Sequence, residues 1–326
     1  MLLPASLITL TALALAYAQT VRPNPKRGLV FVPEDATPRD NYIWTRPPTT
    51  LSWYYNYGPE PSVVFNNLTQ DQFEFVPMLW GAPSDPEVAR TDTKFAETVK
   101  DVIKKRGVNI THVMGFNEPD MAGEGMSNVR PDVAARVWVN NIVPLQEMGV
   151  KAGLPAPTAS WDGIPWLRQF LGNCSNIISA GGESRNCTFD FVPIHWYGNF
   201  EGLASHIGTY AAAFPGKKIW VTEYNADHQD LAATQDFFKR SLEYMDRIDD
   251  VERYSLFGAF RAPTSNVGPN GAMLSAGGEL TDIGAWYLGR EAMGVAPSST
   301  VGSAATEIQV GLRGWFAMVF AAVLLL

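Results

Sequence analysis

The chain has 326 residues, 46% hydrophobic and 18% charged, which supplies a large core and excludes a disordered chain. Its net charge of −8 gives no general attraction to nucleic-acid phosphates. Four His and two Cys leave little for a zinc or haem centre, so no metal or other cofactor is expected.

Residues 2–18 form an apolar run closing on Ala16-Tyr17-Ala18, the small-x-small pattern of a secretory cleavage site, although no Lys or Arg precedes it. A signal peptide over 1–18 would leave a mature chain starting near Gln19. Short β-rich runs then recur at Gly28–Val32, Leu51–Asn56, Phe73–Trp80, Ile110–Phe116, Val150–Leu154, Phe189–Tyr197, Lys217–Thr222 and Arg253–Phe260. Several are near-continuous in apolar residues, as strands buried on both faces should be. Helices are expected over Pro86 to Arg106, which stops at a basic run and Gly107, over Pro131 to Met148, kinked at Pro144, and over Asp230 to Ile248.

Eight strands alternating with helices predict an α/β fold, a (β/α)₈ TIM-like barrel forming one catalytic domain over 19–295. Residues 33–50 are proline-rich without an amphipathic pattern, so the first crossover should be irregular. No Gly-x-Gly-x-x-Gly follows the first strand, which counts against a dinucleotide fold. The stretch 296–303 reads as a small-residue linker. Beyond it, Ser303-Ala304-Ala305, a spacer from Thr306 to Gly314 and an apolar tail from Trp315 to Leu326 match a lipid-anchor signal, with 304–326 removed. The tail falls short of the about 20 residues a spanning helix needs.

Export makes two further features legible. Asn67, Asn109, Asn173 and Asn186 each open an Asn-x-Ser/Thr sequon, a candidate glycosylation site. Cys174 and Cys187 can pair in an oxidising compartment. The loop they would close, of about fourteen residues, makes the bond worth about 3 kcal/mol at most, a local staple.

Barrel chemistry belongs at the carboxyl ends of the strands. The fourth strand ends Gly115-Phe116-Asn117-Glu118-Pro119-Asp120, the sixth Ile194-His195-Trp196-Tyr197-Gly198, and the seventh Val221-Thr222-Glu223-Tyr224-Asn225. One Glu at a strand end often caps the next helix. Two across one barrel mouth are what glycoside cleavage requires: a proton donor for the leaving oxygen, and a nucleophile or base for the anomeric carbon. Retention of configuration would set the carboxyl groups about 5–5.5 Å apart, inversion about 6.5–9.5 Å.

These residues resemble the retaining (β/α)₈ glycosidases, and more closely glycoside hydrolase family 128, the endo-β-1,3-glucanases. The similarity rests on Lys26 to Leu29, Trp53 to Gly58, Phe75 to Gly81, Gly115 to Asp120, His195 to Gly198, Trp220 to Tyr224 and Val251 to Tyr254, in family order. A Cys-bracketed insert before the sixth strand and the C-terminal tail depart from the pattern. The resemblance implies Glu118 as acid/base and Glu223 as nucleophile. His195 and Tyr197 are candidate donors to Glu223 and candidate substrate contacts, and Asn117 is a candidate partner for a sugar 2-hydroxyl.

Of the Trp residues near strand ends, Trp80 and Trp196 are the expected sugar contacts, while Trp138 and Trp166 read as core. The expectation is a secreted, lipid-anchored, monomeric hydrolase of β-1,3-glucan at the cell surface or wall, with no nucleic-acid partner. The alternatives are a transglycosylase, a glycanase of another linkage, and a non-catalytic glucan-binding protein.

Overall fold

The structure, a computed structural model, describes residues 21–300. The expected signal peptide, the last residues of the expected linker and the anchor signal lie outside the described residues. Residues 297–299 of that linker are laid along the body, where the Ala276 and Gly277 amides donate to the Pro297 and Ser299 carbonyls.

Eight strands run β1 Arg27–Val30, β2 Trp53–Tyr55, β3 Glu74–Phe75, β4 His112–Met114, β5 Lys151–Gly153, β6 Phe191–Tyr197, β7 Lys218–Asn225 and β8 Val251–Leu256. Every pairing is parallel, in the order β3-β2-β1-β8-β7-β6-β5-β4. A parallel bridge between Met78 and Met114 closes the ring, with the Met114 amide donating to Pro77 O (2.8 Å) and the Leu79 amide to Met114 O (3.0 Å). The expected (β/α)₈ barrel is therefore the observed fold.

Alternation along the strands sorts the apolar residues into two cores. Val30, Trp53, Tyr55, Val76, Met78, Met114, Phe191 and Trp220 fill the barrel. Leu29, Phe31, Tyr54, Phe75, Val113, Ile194 and Val221 face outward to the helices. Rings as large as Trp53 and Phe191 fit inside because glycine stands opposite: a Cβ on Gly28 would come within 2.2 Å of Trp53, and one on Gly153 within 2.3 Å of Phe191.

The outer layer holds α1 Pro86–Thr91, α2 Lys94–Arg106, α3 Pro131–Asn141, α4 Val143–Gln146, α5 Gly163–Ser179, α6 Phe200–Ala213, α7 Leu231–Arg247 and α8 Asp282–Tyr287. The first crossover, irregular as expected, carries only a 3-10 turn at Asp40–Tyr42. Two helices read as continuous are each split. Asn141 breaks the first by taking the Ala96 amide on its Oδ1 and donating Nδ2 to Asp92 O. In the second, Pro144 has no N–H to donate and its ring crowds the preceding turn, so α3 stops at Asn141.

Cys174 and Cys187 are bonded, Cα to Cα 5.6 Å. The first belongs to a helix rather than to a loop: Leu167, Phe170 and Cys174 form the buried stripe of α5. The bond thus ties the far end of α5 to the approach to β6.

Candidate active site

Glu223 reaches the barrel mouth through a break in strand alternation. Trp220 and Glu223 are three residues apart, so a regular strand would put them on opposite faces. Both point inward because the β6–β7 register skips a residue, with Ile194 opposite Val221 and His195 opposite Glu223. Thr222 is the extra residue of this bulge, and it shifts the phase of the strand beyond it.

Glu118 arrives differently. Beyond β4 the Asn117 amide donates to Trp80 O (2.9 Å) and the Glu118 amide to Ala156 O (2.8 Å). Held on both sides, Glu118 adopts φ +44°, one of four non-glycine residues in the left-handed region among the described residues, and Tyr57 at the same mouth is another, at +62°. Such conformations cost of order 1–3 kcal/mol and persist where the surroundings enforce them.

The two acids meet around one imidazole. His195 Nδ1 lies 2.9 Å from Glu118 Oε1 and 3.5 Å from Glu223 Oε2. One oxygen of each carboxylate and a ring nitrogen of His195 all fall within 4.8 Å of one another. Burial opposes a charge on His195, but the Glu223 and Glu118 carboxylates outweigh it and raise its pKa above the usual histidine value.

Tyrosine hydroxyls surround Glu223. Tyr57 donates to Oε1 at 2.6 Å, Tyr197 to Oε2 at 2.6 Å, and Tyr55 reaches Oε1 at 3.3 Å while donating to Thr222 O. Burial beside this carboxylate pushes all three phenols well above their ordinary pKa, so they stay protonated donors. His195 Nδ1, Glu118 Oε1 and both Glu223 oxygens make hydrogen bonds within the protein, whereas His195 Nε2 finds no partner among the described residues.

A cleft of about 580 Å³ opens over the pair. Trp80, Tyr57, Asn117, Tyr197, Val32 and Phe257 help line it, with Glu124 and Asp227 adding two carboxylates and no Lys or Arg. Asn117 donates Nδ2 to Gly125 O, while its Oδ1 finds no partner among the described residues. Asp120 accepts from the Thr158 amide, Thr158 Oγ1 and Ser160 Oγ, and so pins the loop after β5 that carries Trp161, which is 85% exposed.

The structure brings Glu118, Glu223, Asn117, Tyr197 and Trp80 to this cleft. Two expected sugar contacts need correction. Trp196 cannot share a face with His195 and Tyr197, its neighbours on one strand; it turns outward, donating Nε1 to Asn199 O and packing 5.2 Å from the His206 ring. His195 is fully buried beneath the acids, out of reach of a sugar. Tyr55 and Tyr57 are functional positions that the sequence reading passed over. Their signal was two tyrosines, two residues apart, at the carboxyl end of β2. Trp53, also near a strand end, lies in the barrel interior, and Trp138 and Trp166 are core.

The chain is similar to several known proteins. Alkali-sensitive linkage protein 1 of Schizosaccharomyces pombe is 29% identical over 271 residues, covering 81% of this chain and 44% of that protein. The chain thus spans less than half of this relative's length. A curdlan-specific exo-β-1,3-glucanase of glycoside hydrolase family 128 from Blastomyces gilchristii is 26% identical, with TM-score 0.60 over 81% of this chain and 99% of its own. An endo-β-1,3-glucanase of that family from Pseudomonas viridiflava has TM-score 0.62 at 24% identity, covering 83% and 99%. A Cryptococcus neoformans member described as an oligosaccharide-binding protein has TM-score 0.60 at 23%, covering 82% and 94%. The family described as glycosyl hydrolase catalytic core matches residues 28–287, from β1 through α8, and the chain belongs to it.

Proposed function

We propose that this protein is an exported, monomeric β-1,3-glucan hydrolase, held at the cell surface or wall by a C-terminal lipid anchor, that cuts within glucan chains and retains anomeric configuration. The observation that carries the reading is the pair Glu118 and Glu223, with carboxylate oxygens within 4.8 Å across one barrel mouth. An approach this close supports the about 5–5.5 Å separation of a retaining pair over the about 6.5–9.5 Å of an inverting one. The β-1,3 linkage is taken from the glucanases that share the barrel.

The division of labour follows from the partners. Glu223, fixed by the Tyr57 and Tyr197 hydroxyls, is the nucleophile. It attacks the anomeric carbon while the Glu118 carboxylic acid gives its proton to the departing oxygen. The resulting glycosyl ester is opened by a water whose proton returns to Glu118, so two inversions give net retention. Asn117, beside the acid on the cleft wall, is the residue placed toward the sugar 2-hydroxyl, and Trp80 offers a ring face to the chain. His195, raised in pKa and touching both acids, sets their relative position.

A digestion panel of β-1,3-, β-1,4- and mixed-linkage glucans tests the reading, with Glu223→Gln as control. Wild type should release medium-length oligosaccharides from the β-1,3 polymer first, as the β anomer, and the variant none. Monosaccharide as the first product would make the enzyme exo-acting, and longer products than the substrate would make it a transglycosylase. A second reading, a glucan-binding protein, is favoured by the oligosaccharide-binding relative. It would replace the first if wild type binds β-1,3-oligosaccharides without turnover.

A further inference from the structure

Both cysteines of the disulfide occupy the middle position of a glycosylation sequon: Asn173-Cys174-Ser175 and Asn186-Cys187-Thr188. The other two sequons, at Asn67 and Asn109, hold Leu and Ile there. We propose that glycan addition at Asn173 and Asn186 competes with closure of the Cys174–Cys187 bond, so that the two modifications largely exclude each other on one chain, while Asn67 and Asn109 are modified regardless. The proposal rests on the export reading, since both reactions belong to an oxidising, glycosylating compartment.

The competition is written into the local geometry. Asn173 and Ser175 lie inside α5, where side chains two apart do not face each other. A sequon is read as a unit, Asn amide with Ser or Thr hydroxyl, so the helix separates the two groups that must be recognised together. The hydroxyl is also engaged: Ser175 Oγ donates to Leu171 O (2.8 Å) and accepts the Cys187 amide (3.0 Å). That second bond joins one sequon to the other, and the disulfide lies beside it. Asn173 itself is half-buried in a groove with Arg90, Asp132 and Arg136.

Asn186 is exposed, but the residue after it is buried at the disulfide, and the Thr188 carbonyl accepts from Gln146 Nε2 at 3.1 Å. Asn67 and Asn109 are exposed outside any helix.

The two reactions are chemically independent. In glycosylation the Asn amide nitrogen bonds to the anomeric carbon of a lipid-diphosphate-linked oligosaccharide, the lipid diphosphate departs, and the amide loses one proton. In closure the two thiols give two electrons and two protons to a disulfide-exchange oxidant. What couples them is access: closure withdraws the sequons from the extended form that glycosylation needs, and a glycan on the residue before each thiol crowds the approach of its partner.

The test measures occupancy at all four Asn by peptide mass spectrometry of protein secreted from a eukaryotic host. Single variants separate cause from sequon chemistry. Cys187→Ala removes the bond but leaves Asn173-Cys174-Ser175 intact, and Cys174→Ala does the reverse. Occupancy should rise at least threefold at Asn173 in the first and at Asn186 in the second, with Asn67 and Asn109 unchanged. Should either variant fail to leave the cell, wild type synthesised under dithiothreitol, mapped from whole cells, should show the same rise. Glycans at Asn67 and Asn109 with Asn173 and Asn186 insensitive to loss of the bond would overturn the inference alone. Four bare sites in every sample would overturn the export reading, and the inference with it.

Discussion

The tyrosine cradle of Glu223 makes the most exacting demand on the mechanism. Tyr57→Phe or Tyr197→Phe deletes one hydroxyl and leaves the ring, so the contacts of Tyr57 with Tyr55 and of Tyr197 with Phe257 survive. What is lost is a 2.6 Å hydrogen bond to a buried carboxylate. A hydrogen bond to a charged group contributes about 1.5–3 kcal/mol, so each variant should lose about tenfold to 150-fold in kcat/KM on β-1,3-oligosaccharides. Tyr55→Phe should lose less activity, since its contact to Glu223 is 3.3 Å and its hydroxyl chiefly serves Thr222 O. Tyr57 and Tyr197 bind different oxygens of one carboxylate, so the double variant should depart from additivity.

Leaving-group dependence makes the assay diagnostic. An activated aryl β-glucoside needs little protonation, so a Glu118 variant recovers much of its rate on it. The tyrosines serve the nucleophile, which is needed whatever departs, and their losses should persist on that substrate. Single variants within twofold of wild type on both substrates would falsify the assignment. A loss that vanishes with the good leaving group would move the tyrosines to the acid's side of the reaction.

Other expectations follow from the same geometry. Glu223→Ala should lose glycosyl-enzyme formation, with azide restoring an inverted glycosyl azide, whereas Glu118→Ala with azide and an aryl glucoside should give the retained one; product stereochemistry by NMR decides. Trp80→Ala removes a cleft-lining ring that is 40% exposed, so KM on oligosaccharides should rise about tenfold with stability shifted by less than about 0.5 kcal/mol. At the opposite end of the barrel, burial raises the Glu74 pKa, but His112, Arg253 and Thr111 more than offset it and hold the carboxyl at about 2, against 4.5 for the free group. A depressed carboxyl stabilises the fold above its unfolded pKa, here by about 3 kcal/mol, and the contribution is lost as pH falls from about 4.5 through 2. Urea unfolding should therefore show Glu74→Gln less stable than wild type at pH 7 with the gap closing near pH 2.5, and a constant gap would contradict the linkage.

Much of this was legible in the residues, for identifiable reasons. Strands buried on both faces are continuous in apolar residues, so the run from Phe189 to Tyr197 announces β6 without tertiary information. Glu118 and Glu223 follow because a barrel puts its chemistry at strand ends. What escaped was parity. His195, Trp196 and Tyr197 cannot all face one cleft, and alternation alone would have rejected Trp196. The bulge at Thr222 escaped for the opposite reason: it breaks alternation, and it is set by pairing with β6 rather than by any local preference. The α1–α2 break likewise depends on Asn141, 45 residues from the Ala96 amide it accepts.

Glu74 and Glu223 show why residue type alone does not separate a structural acid from a reactive one. Both are shielded carboxylates belonging to strands of the same barrel. Glu74 lies 2.7 Å from the Arg253 guanidinium, a partner of opposite charge, and 3.0 Å from His112 Nδ1, and the two bind it in place. Glu223 is met at 2.6 Å by two neutral phenols, and the His195 imidazole stands 3.5 Å away and closer to Glu118. Neutral donors stabilise a carboxylate without cancelling its charge, so it can still bond to an electron-poor carbon. A guanidinium pair at the same distance would hold that electron density to itself. On the proposed mechanism the nucleophile is thus marked less by its own identity than by Tyr57, just beyond β2, and Tyr197, at the end of β6.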